Sequence, residues 1–238
     1  TGSVVLHTVN DLNVCTITSG SVSITSDTGN VMLGTINAAG GTVTITANNG
    51  AITDGTDTSL TAGQATLSAR QIGGPDQALN VEVDSLTATA SGGGIYINDS
   101  GTLTLGAITA AGDISLVTTG LVTQTAGITS DGHDIGVIGG GIGMQAGTPT
   151  TSGGGYITYV ANDGNATLSI LDAAAGRALV IASDNVYSAL AANSGINNLT
   201  ASAVEVRAGG LGGSLGEIGT LDAPLSIATS GGARSRCT

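Results

Sequence analysis

Two short patterns follow one another in the stretch Ile108-Thr109-Ala110-Ala111-Gly112-Asp113-Ile114-Ser115-Leu116, and together they decide the fold. The first is Ile or Leu, then Thr or Asn, then Ala or Ser. The second is an alternating apolar pair that begins five to nine residues after the first residue of that phrase. The phrase recurs with its leading residue at Ile36, Leu60, Leu86, Ile108, Ile128 and Leu199. Subtraction gives intervals of 24, 26, 22, 20 and 71 residues. The last is roughly three intervals, and a period of roughly 20 to 50 residues is typical of stacked-repeat proteins.

Within each interval the pattern has a period of two residues. Polar and apolar residues alternate in Thr42-Val43-Thr44-Ile45-Thr46 and in Ala203-Val204-Glu205-Val206-Arg207, which is typical of half-buried strands. Gly, Asn, Asp and Ser separate these segments and favour tight turns. The best helix candidates, 171–177 and 189–192, are too short to count. We therefore expect the apolar members of the alternation to point inward: Val43, Ile45, Ile95, Ile97, Ile114, Leu116, Val204 and Val206.

Three short strands per interval, joined by turns without helices, predict an all-β fold. We expect residues 1–238 to form a single right-handed parallel β-helix, or β-solenoid, of about ten coils and roughly 50 Å in length. A β-sandwich also uses short alternating strands, but it does not explain the recurring phrase. We find no domain boundary or linker, and we expect the Gly-rich stretch 139–151 to be an insertion or loop.

Composition limits the partners that the chain can have. It has no Trp, Phe or Lys, and its formal net charge is −12. Such a charge argues against nucleic acid and anionic membrane surfaces as partners, and it fits an extracellular or cell-surface location. No stretch approaches the roughly 20 apolar residues of a membrane span, so no membrane insertion is expected. No signal peptide opens the sequence, and we interpret it as mature protein or as a piece of a larger one.

A second, longer phrase also repeats. Residues 72–81, Ile-Gly-Gly-Pro-Asp-Gln-Ala-Leu-Asn-Val, align with residues 218–227, Ile-Gly-Thr-Leu-Asp-Ala-Pro-Leu-Ser-Ile. Together with Gly101-Thr102-Leu103-Thr104-Leu105 and Gly112-Asp113-Ile114-Ser115-Leu116, the phrase resembles the repeat regions of very large bacterial secreted exoproteins, the filamentous-haemagglutinin-like adhesins. The resemblance covers most of residues 20–238. It implies a secreted right-handed parallel β-helix that serves as a stalk, adhesin or filament, and it carries no catalytic motif.

Several local motifs have a plain structural interpretation. Asp131-Gly132-His133-Asp134 and Asp54-Gly55-Thr56-Asp57 hold side chains that can bind a metal, yet Asp-Gly is ordinary turn chemistry. We interpret both as turns and expect no metal and no cofactor. The run 139–143 lacks the Lys of a phosphate-binding loop, and we interpret it as a loop or close-packed corner. The glycosylation sequons that begin at Asn98, Asn165 and Asn198 are interpreted as stacked Asn residues in turns.

Three classes of function follow from this fold. The first is a structural subunit or segment of an extracellular fibre that stacks end to end through its terminal coils. The alternative is an adhesin segment that binds a surface carbohydrate or protein, and a groove holding Tyr96, Tyr156 and Tyr159 would favour it. The third is a polysaccharide-degrading enzyme or an ice-binding protein. We do not expect an enzyme, because Lys is absent, the five Arg are scattered and aromatic platforms are few. Alternating Thr, as in Thr42-Val43-Thr44, is also common in ordinary strands.

The two cysteines, Cys15 and Cys237, point to the mode of assembly. They should lie near opposite ends of the rod, too far apart for a disulfide within one molecule. We therefore expect Cys15 of one copy to pair with Cys237 of the next, head to tail. Arg234 and Arg236 would meet an acidic neighbour near Asp11. The expected partners are other copies of the chain.

Overall fold

The computed structural model describes residues 2–192, 194–209 and 216–237, and it is an all-β parallel solenoid of about nine turns. The side chains of residues 56–58, 233 and 235–237 are not described. The described part contains no helix, and it therefore holds none long and apolar enough to cross a membrane. The predicted all-β parallel solenoid is confirmed, with slightly fewer turns than the ten expected.

The strands are short except for β5, which bends around several corners. Their bounds are β1 Ser3–Thr8, β2 Leu12–Asn13, β3 Thr16–Thr18, β4 Ser21–Ser26, β5 Val31–Ile72, β6 Leu79–Ala90, β7 Ile95–Asp99, β8 Leu103–Ala110, β9 Ile114–Thr118, β10 Leu121–Gln124, β11 Ile128–Ser130, β12 Ile135–Gly139, β13 Gly141–Met144, β14 Pro149–Thr151, β15 Ile157–Ala161, β16 Ala166–Leu168, β17 Ile170–Asp172, β18 Arg177–Ala182, β19 Val186–Ser188, β20 Leu199–Ala201, β21 Ala203–Ala208, β22 Ile227–Thr229 and β23 Ala233–Cys237.

One face, which we call face 1, stacks the strands β7, β9, β12, β15, β18, β21 and β23 in parallel. The same position in successive coils forms a rank along the rod. The first inward rank consists of Ile95, Ile114, Ile135, Ile157, Ala178 and Val204. All are at most 3% exposed, because each is covered by its neighbours above and below. The eight apolar residues that were expected inside are all buried, so this prediction is confirmed.

The other two faces separate part of the way along the rod. Face 2 stacks residues 103–105 of β8 with β10, β13, β16 and β19. Face 3 stacks residues 108–110 of β8 with β11, β14, β17, β20 and β22. In the earlier coils both faces belong to one continuous segment, as in residues 85–90 of β6, which pair with both halves of β8. The register shifts between Leu86 and Ala88, where β8 inserts one extra residue.

The recurring phrase does not mark one rank. Leu86 stacks on Leu105, and Ala88 stacks on Ile108, so the phrase at Leu86 lies two residues out of step with the next copy. Leu60 pairs with Val81 instead. The phrase is compatible with every face because its alternation of apolar, hydroxyl and small residues suits any strand of the solenoid.

The longer phrase is a local excursion that occurs on two different faces. Ile72 pairs with Ile95 on face 1, whereas Ile218 bridges to Val186 on face 2. After each Ile the chain turns at a glycine with positive φ, 61° at Gly73 and 70° at Gly219. A tight turn follows, with the Gly74 amide donating to Gln77 and the Thr220 amide donating to Ala223. The similarity therefore reflects a shared loop.

The stretch 139–151 was expected to be a loop, and this prediction is wrong. It contains β13 and β14, which stay in register with the coils on both sides. Ile142 and Met144 point inward and are buried, while Gly141 and Gly143 occupy the outward positions. Gly141 stacks on Leu121 and Gly143 lies between Thr123 and Thr167, so glycine at these outward positions leaves the alternation intact.

Candidate functional site: the two end coils

The first coil presents apolar core positions that are incompletely covered. Leu6 of β1 stacks on Ile24, which is fully buried, but Leu6 itself is only partly buried, as are Leu12 and Ile17. In the part of the chain that the structure describes, β1 pairs with β4 alone. Its other edge leaves backbone groups free to pair with a further strand.

The last described coil has the same character. Ile218, Leu225 and Ile227 pack against the core but remain partly exposed. The strand β22 pairs with β20, and β23 pairs with β21. The apolar interior therefore reaches both ends of the described rod, and each end can bury more apolar surface against another coil.

The predicted assembly residues lie at these two ends. Cys15 is exposed and carries a free thiol in the first coil. Asp11 is exposed in the same coil, and its Oδ1 accepts a hydrogen bond from the Asn30 amide at 2.6 Å. Arg234 is exposed on β23, opposite Glu205 in the register. The backbone of Cys237 pairs with Ala208 at the far end, while the side chains of Arg236 and Cys237 lie outside the described residues.

Ladders of Asp and Asn side chains fix the corners that join the faces. At each corner a side-chain oxygen of one coil accepts a hydrogen bond from the backbone amide at the equivalent position of the next coil. The pairs are Asp11 with Asn30, Asn30 with Ala51, Asp113 with Asp134, Asp134 with Tyr156, Asn165 with Asn185 and Asn185 with Glu217, at 2.6–3.1 Å. The ladders hold each coil in register on the one before it.

The interior contains a polar cluster that sequence reasoning missed. Gln124, Thr150 and Tyr159 are fully buried. The Tyr159 hydroxyl lies 2.8 Å from Gln124 Oε1 and 2.7 Å from Thr150 Oγ1, and Gln124 Nε2 lies 3.1 Å from Thr150 Oγ1. Gln124 Nε2 also donates to the carbonyl groups of Ala126 and Pro149. Burial raises the pKa of the Tyr159 phenol. Because the cluster is closed and satisfied, it is a structural element and offers no open ligand position.

The tyrosines do not form a shared groove. Tyr159 is inside the rod, whereas Tyr156 is 53% exposed at a corner. Tyr96 lies outside on face 1, where burial, the negative charge of Asp113 and a hydrogen bond to that carboxylate raise its pKa. These three tyrosines therefore do not line a common sugar-binding groove.

The candidate metal motifs have different outcomes. Residues 131–134 form a turn with Gly132 at φ 80°, as predicted, and His133 Nδ1 lies 3.6 Å from Asp113 Oδ1. The turn predicted at 54–57 is wrong, because these residues continue β5. Asp54 is buried there and binds Asn80 through Oδ2, while the side chains of Thr56 and Asp57 lie outside the described residues. Among the described residues, no group of three His, Cys, Asp or Glu side chains is arranged to hold a metal ion.

The sequon residues also differ from one another. Asn165 belongs to a corner ladder, as predicted. Asn198 is almost fully buried at a corner, where its Nδ2 donates to the carbonyl groups of Leu168 and Ser169. Asn98 instead lies within the strand β7 and is exposed, so the turn prediction is wrong for it.

Comparison with protein-family models, curated proteins and solved structures returns no match. The parallel β-solenoid fold and its two end coils are therefore the basis for assigning a function.

Proposed function

We propose that this chain is a structural segment of an extracellular fibre and that its coils stack end to end on other copies. The observation that carries the proposal is the incomplete cover of the apolar interior at both described ends. Leu6, Leu12 and Ile17 at one end, and Ile218, Leu225 and Ile227 at the other, are positioned to bury surface against a further coil. Burial of apolar surface favours such stacking at about 25 cal/mol per Å².

The free edge of β1 supports the same mode of assembly. Unpaired strand edges readily add another strand, and in a parallel solenoid the added strand continues the existing register. A last coil placed on a first coil is a heterologous contact, which generates an open filament. The acidic net charge of −12 and the resemblance to secreted exoproteins support the extracellular location that we propose.

The cysteines would make this contact covalent. Cys15 is exposed in the first coil, and Cys237 belongs to β23 in the last. With about nine turns at about 4.8 Å per coil, the two residues are separated by roughly 40 Å. A disulfide requires Cα atoms within about 7 Å. We propose that Cys237 of one copy pairs with Cys15 of the next, with Arg234 approaching Asp11 across the junction.

A hydroxyl-bearing rank on face 3 favours a second candidate, ice binding. Ser68, Thr89, Thr109, Thr129 and Thr151 stack in register with their side chains outward. Such a rank could order water on a flat surface. Asp172 interrupts this rank before Thr200. Thermal hysteresis, the gap between the melting and freezing temperatures of an ice crystal in a solution of the chain, is the measurement that tests this candidate. An adhesin segment would need a binding groove, which the tyrosines do not supply.

A substitution at the first coil tests the fibre proposal. Leu6→Lys places a charge at the open end of the core and should block stacking, whereas Val5→Lys changes the outward neighbour on the same strand, which is 72% exposed. In reductant, sedimentation should show species larger than a dimer for wild type and Val5→Lys but not for Leu6→Lys. Far-ultraviolet spectra establish that both variants are folded. Wild-type chain that forms nothing larger than a dimer would contradict the proposal.

A further inference from the structure

Four aliphatic, β-branched side chains stack on the outside of face 1. Val117, Ile138, Val160 and Ile181 pair with one another in successive coils. Each lies between two buried neighbours of its own strand, so it points outward, and each is partly exposed. We call this rank the aliphatic stripe. In the same coils the outward rank of face 3 consists of Thr109, Thr129, Thr151 and Asp172, so the stripe is a departure from the prevailing polar surface.

The corner that precedes face 1 carries charges that change sign along the rod. The residues at this corner are Asp113, Asp134, Tyr156 and Arg177, one in each of the four coils of the stripe, and all are exposed. Asp113 and Asp134 accompany Val117 and Ile138, whereas Arg177 accompanies Ile181. Asp113 contacts His133 at 3.6 Å and is still 51% exposed. We call these four residues the corner rank.

We propose that the aliphatic stripe is the docking surface for a second copy of this chain, which lies side by side and antiparallel. The two-fold axis would run across face 1 between Ile138 and Val160. Ile138 then faces Val160 of the second copy, and Val117 faces Ile181 of the second copy. This is an isologous contact, in which each surface meets the same surface of its partner.

The corner rank selects the antiparallel arrangement. The same two-fold axis places Asp113 opposite Arg177 of the second copy, and it places Asp134 opposite Tyr156 of the second copy. Opposite charges meet at the two outer positions, and a phenol can donate to a carboxylate at the two inner ones. A parallel arrangement has its two-fold axis along the rod, so it would set the two corner ranks on opposite sides of the stripe and form none of these pairs.

The stripe continues at its ends into polar positions that are compatible with this pairing. Asn98 precedes Val117 in the rank, and Arg207 follows Ile181. The axis therefore sets Asn98 opposite Arg207 of the second copy.

Four residues at about 4.8 Å spacing form a stripe of only about 14 Å. A stable dimer usually buries about 800 Å² per partner, so we expect an association that depends on concentration.

This lateral contact leaves the end coils free, so it is separate from end-to-end stacking. We would measure it by sedimentation in a Leu6→Lys, Cys15→Ser, Cys237→Ser background, in which stacking and disulfides are blocked. A closed dimer is expected there. Ile138→Thr together with Val160→Thr keeps the β-branched shape and removes the apolar surface, and it should raise the dissociation constant at least tenfold. The control, Thr129→Ser with Thr151→Ser on face 3, should leave it unchanged.

A charge swap tests the antiparallel register. Arg177→Asp should weaken the dimer severalfold because it sets Asp against Asp113 of the second copy. Adding Asp113→Arg should restore the association, since opposite charges meet again. Melting curves verify that each variant is folded. A monomer at every concentration, a dimer that the stripe substitutions leave unchanged, or a swap that fails to restore association would each overturn the proposal. None of these results would bear on end-to-end stacking.

Discussion

The hydroxyl of Tyr159 lies 2.8 Å from Oε1 of Gln124, although the two residues are 35 positions apart in the sequence. Both side chains are fully buried and belong to different faces of the solenoid. Thr150 completes the cluster from the third face. A buried polar cluster of this kind stabilises the fold only while each member is satisfied, so it links the stability of the rod to the protonation of one phenol.

Alkaline pH should destabilise the rod through Tyr159. Its folded-state pKa is raised above the ordinary value of 10.0, so above that pH the unfolded chain loses a proton that the folded chain keeps. The free energy of unfolding should then fall by about 1.4 kcal/mol per pH unit. Below pH 10 the contribution of Tyr159 to stability should be fully present. Tyr159→Phe should remove this slope, and at neutral pH it should cost about 1–3 kcal/mol because hydrogen bonds to Gln124 and Thr150 are lost.

Denaturant unfolding between neutral pH and pH 11 measures this effect. The control is Tyr156→Phe, because that side chain is 53% exposed, and it should behave like wild type. A Tyr159→Phe variant that keeps the wild-type slope would show that this phenol does not control the alkaline transition.

Burying a charge in an inward rank should be far more damaging than placing one outside. Ile114→Asp puts an unpaired carboxylate between Ile95 and Ile135, and we expect a loss of at least about 3 kcal/mol. Ser115→Asp adds the same charge at the next, outward position of β9, and Thr44→Ser changes an exposed hydroxyl. Both should be nearly silent in thermal melting. Equal losses for Ile114→Asp and Ser115→Asp would contradict the assigned sides of the strand.

The corner ladder should depend on a hydrogen-bond acceptor more than on its charge. Asp134 accepts from the Tyr156 amide at 2.8 Å. Asp134→Ala should cost about 1 kcal/mol, while Asp134→Asn keeps a carbonyl oxygen and should recover most of it. Asp131→Ala, at an exposed position in the same turn, serves as the control. Unfolding free energies in which Asn is no better than Ala would exclude the ladder as a source of stability.

Oxidation should link the copies covalently if they stack head to tail. Non-reducing electrophoresis of the oxidised chain should show a ladder of multimers that collapses in reductant. Cys15→Ser alone should abolish the ladder, and so should Cys237→Ser alone, because each junction uses one of each. A ladder that stops at the dimer in both single variants would instead indicate pairing of like cysteines.

The sequence predicts the solenoid well because its evidence is local and repeated. Alternation in segments such as Thr42–Thr46 sets which side of each strand is buried, and the same rule places Tyr159 inside, two residues after Ile157. A sugar-binding groove would require Tyr159 on the surface together with Tyr96 and Tyr156, whereas the alternation buries it.

The order of stacking is less accessible from sequence. Leu86 and Ile108 begin the same phrase, yet Leu86 stacks on Leu105 while Ile108 stacks on Ala88. The Gly-rich stretch 139–151 has the composition of a loop, but Gly141 and Gly143 take outward positions and leave Ile142 and Met144 inward. The corner ladders and the aliphatic stripe depend on which residues become neighbours 19 to 32 positions apart, and a varying period hides that correspondence.

Electron microscopy of the reduced 238-residue chain tests the central claim most directly. A single solenoid of about nine turns at about 4.8 Å per turn would be a rod of roughly 40 Å. If the end coils stack, wild type should form unbranched filaments of many such lengths, while Leu6→Lys should give separate short rods. Wild-type fields that contain only separate short rods, at concentrations where the chain is fully folded, would contradict the account.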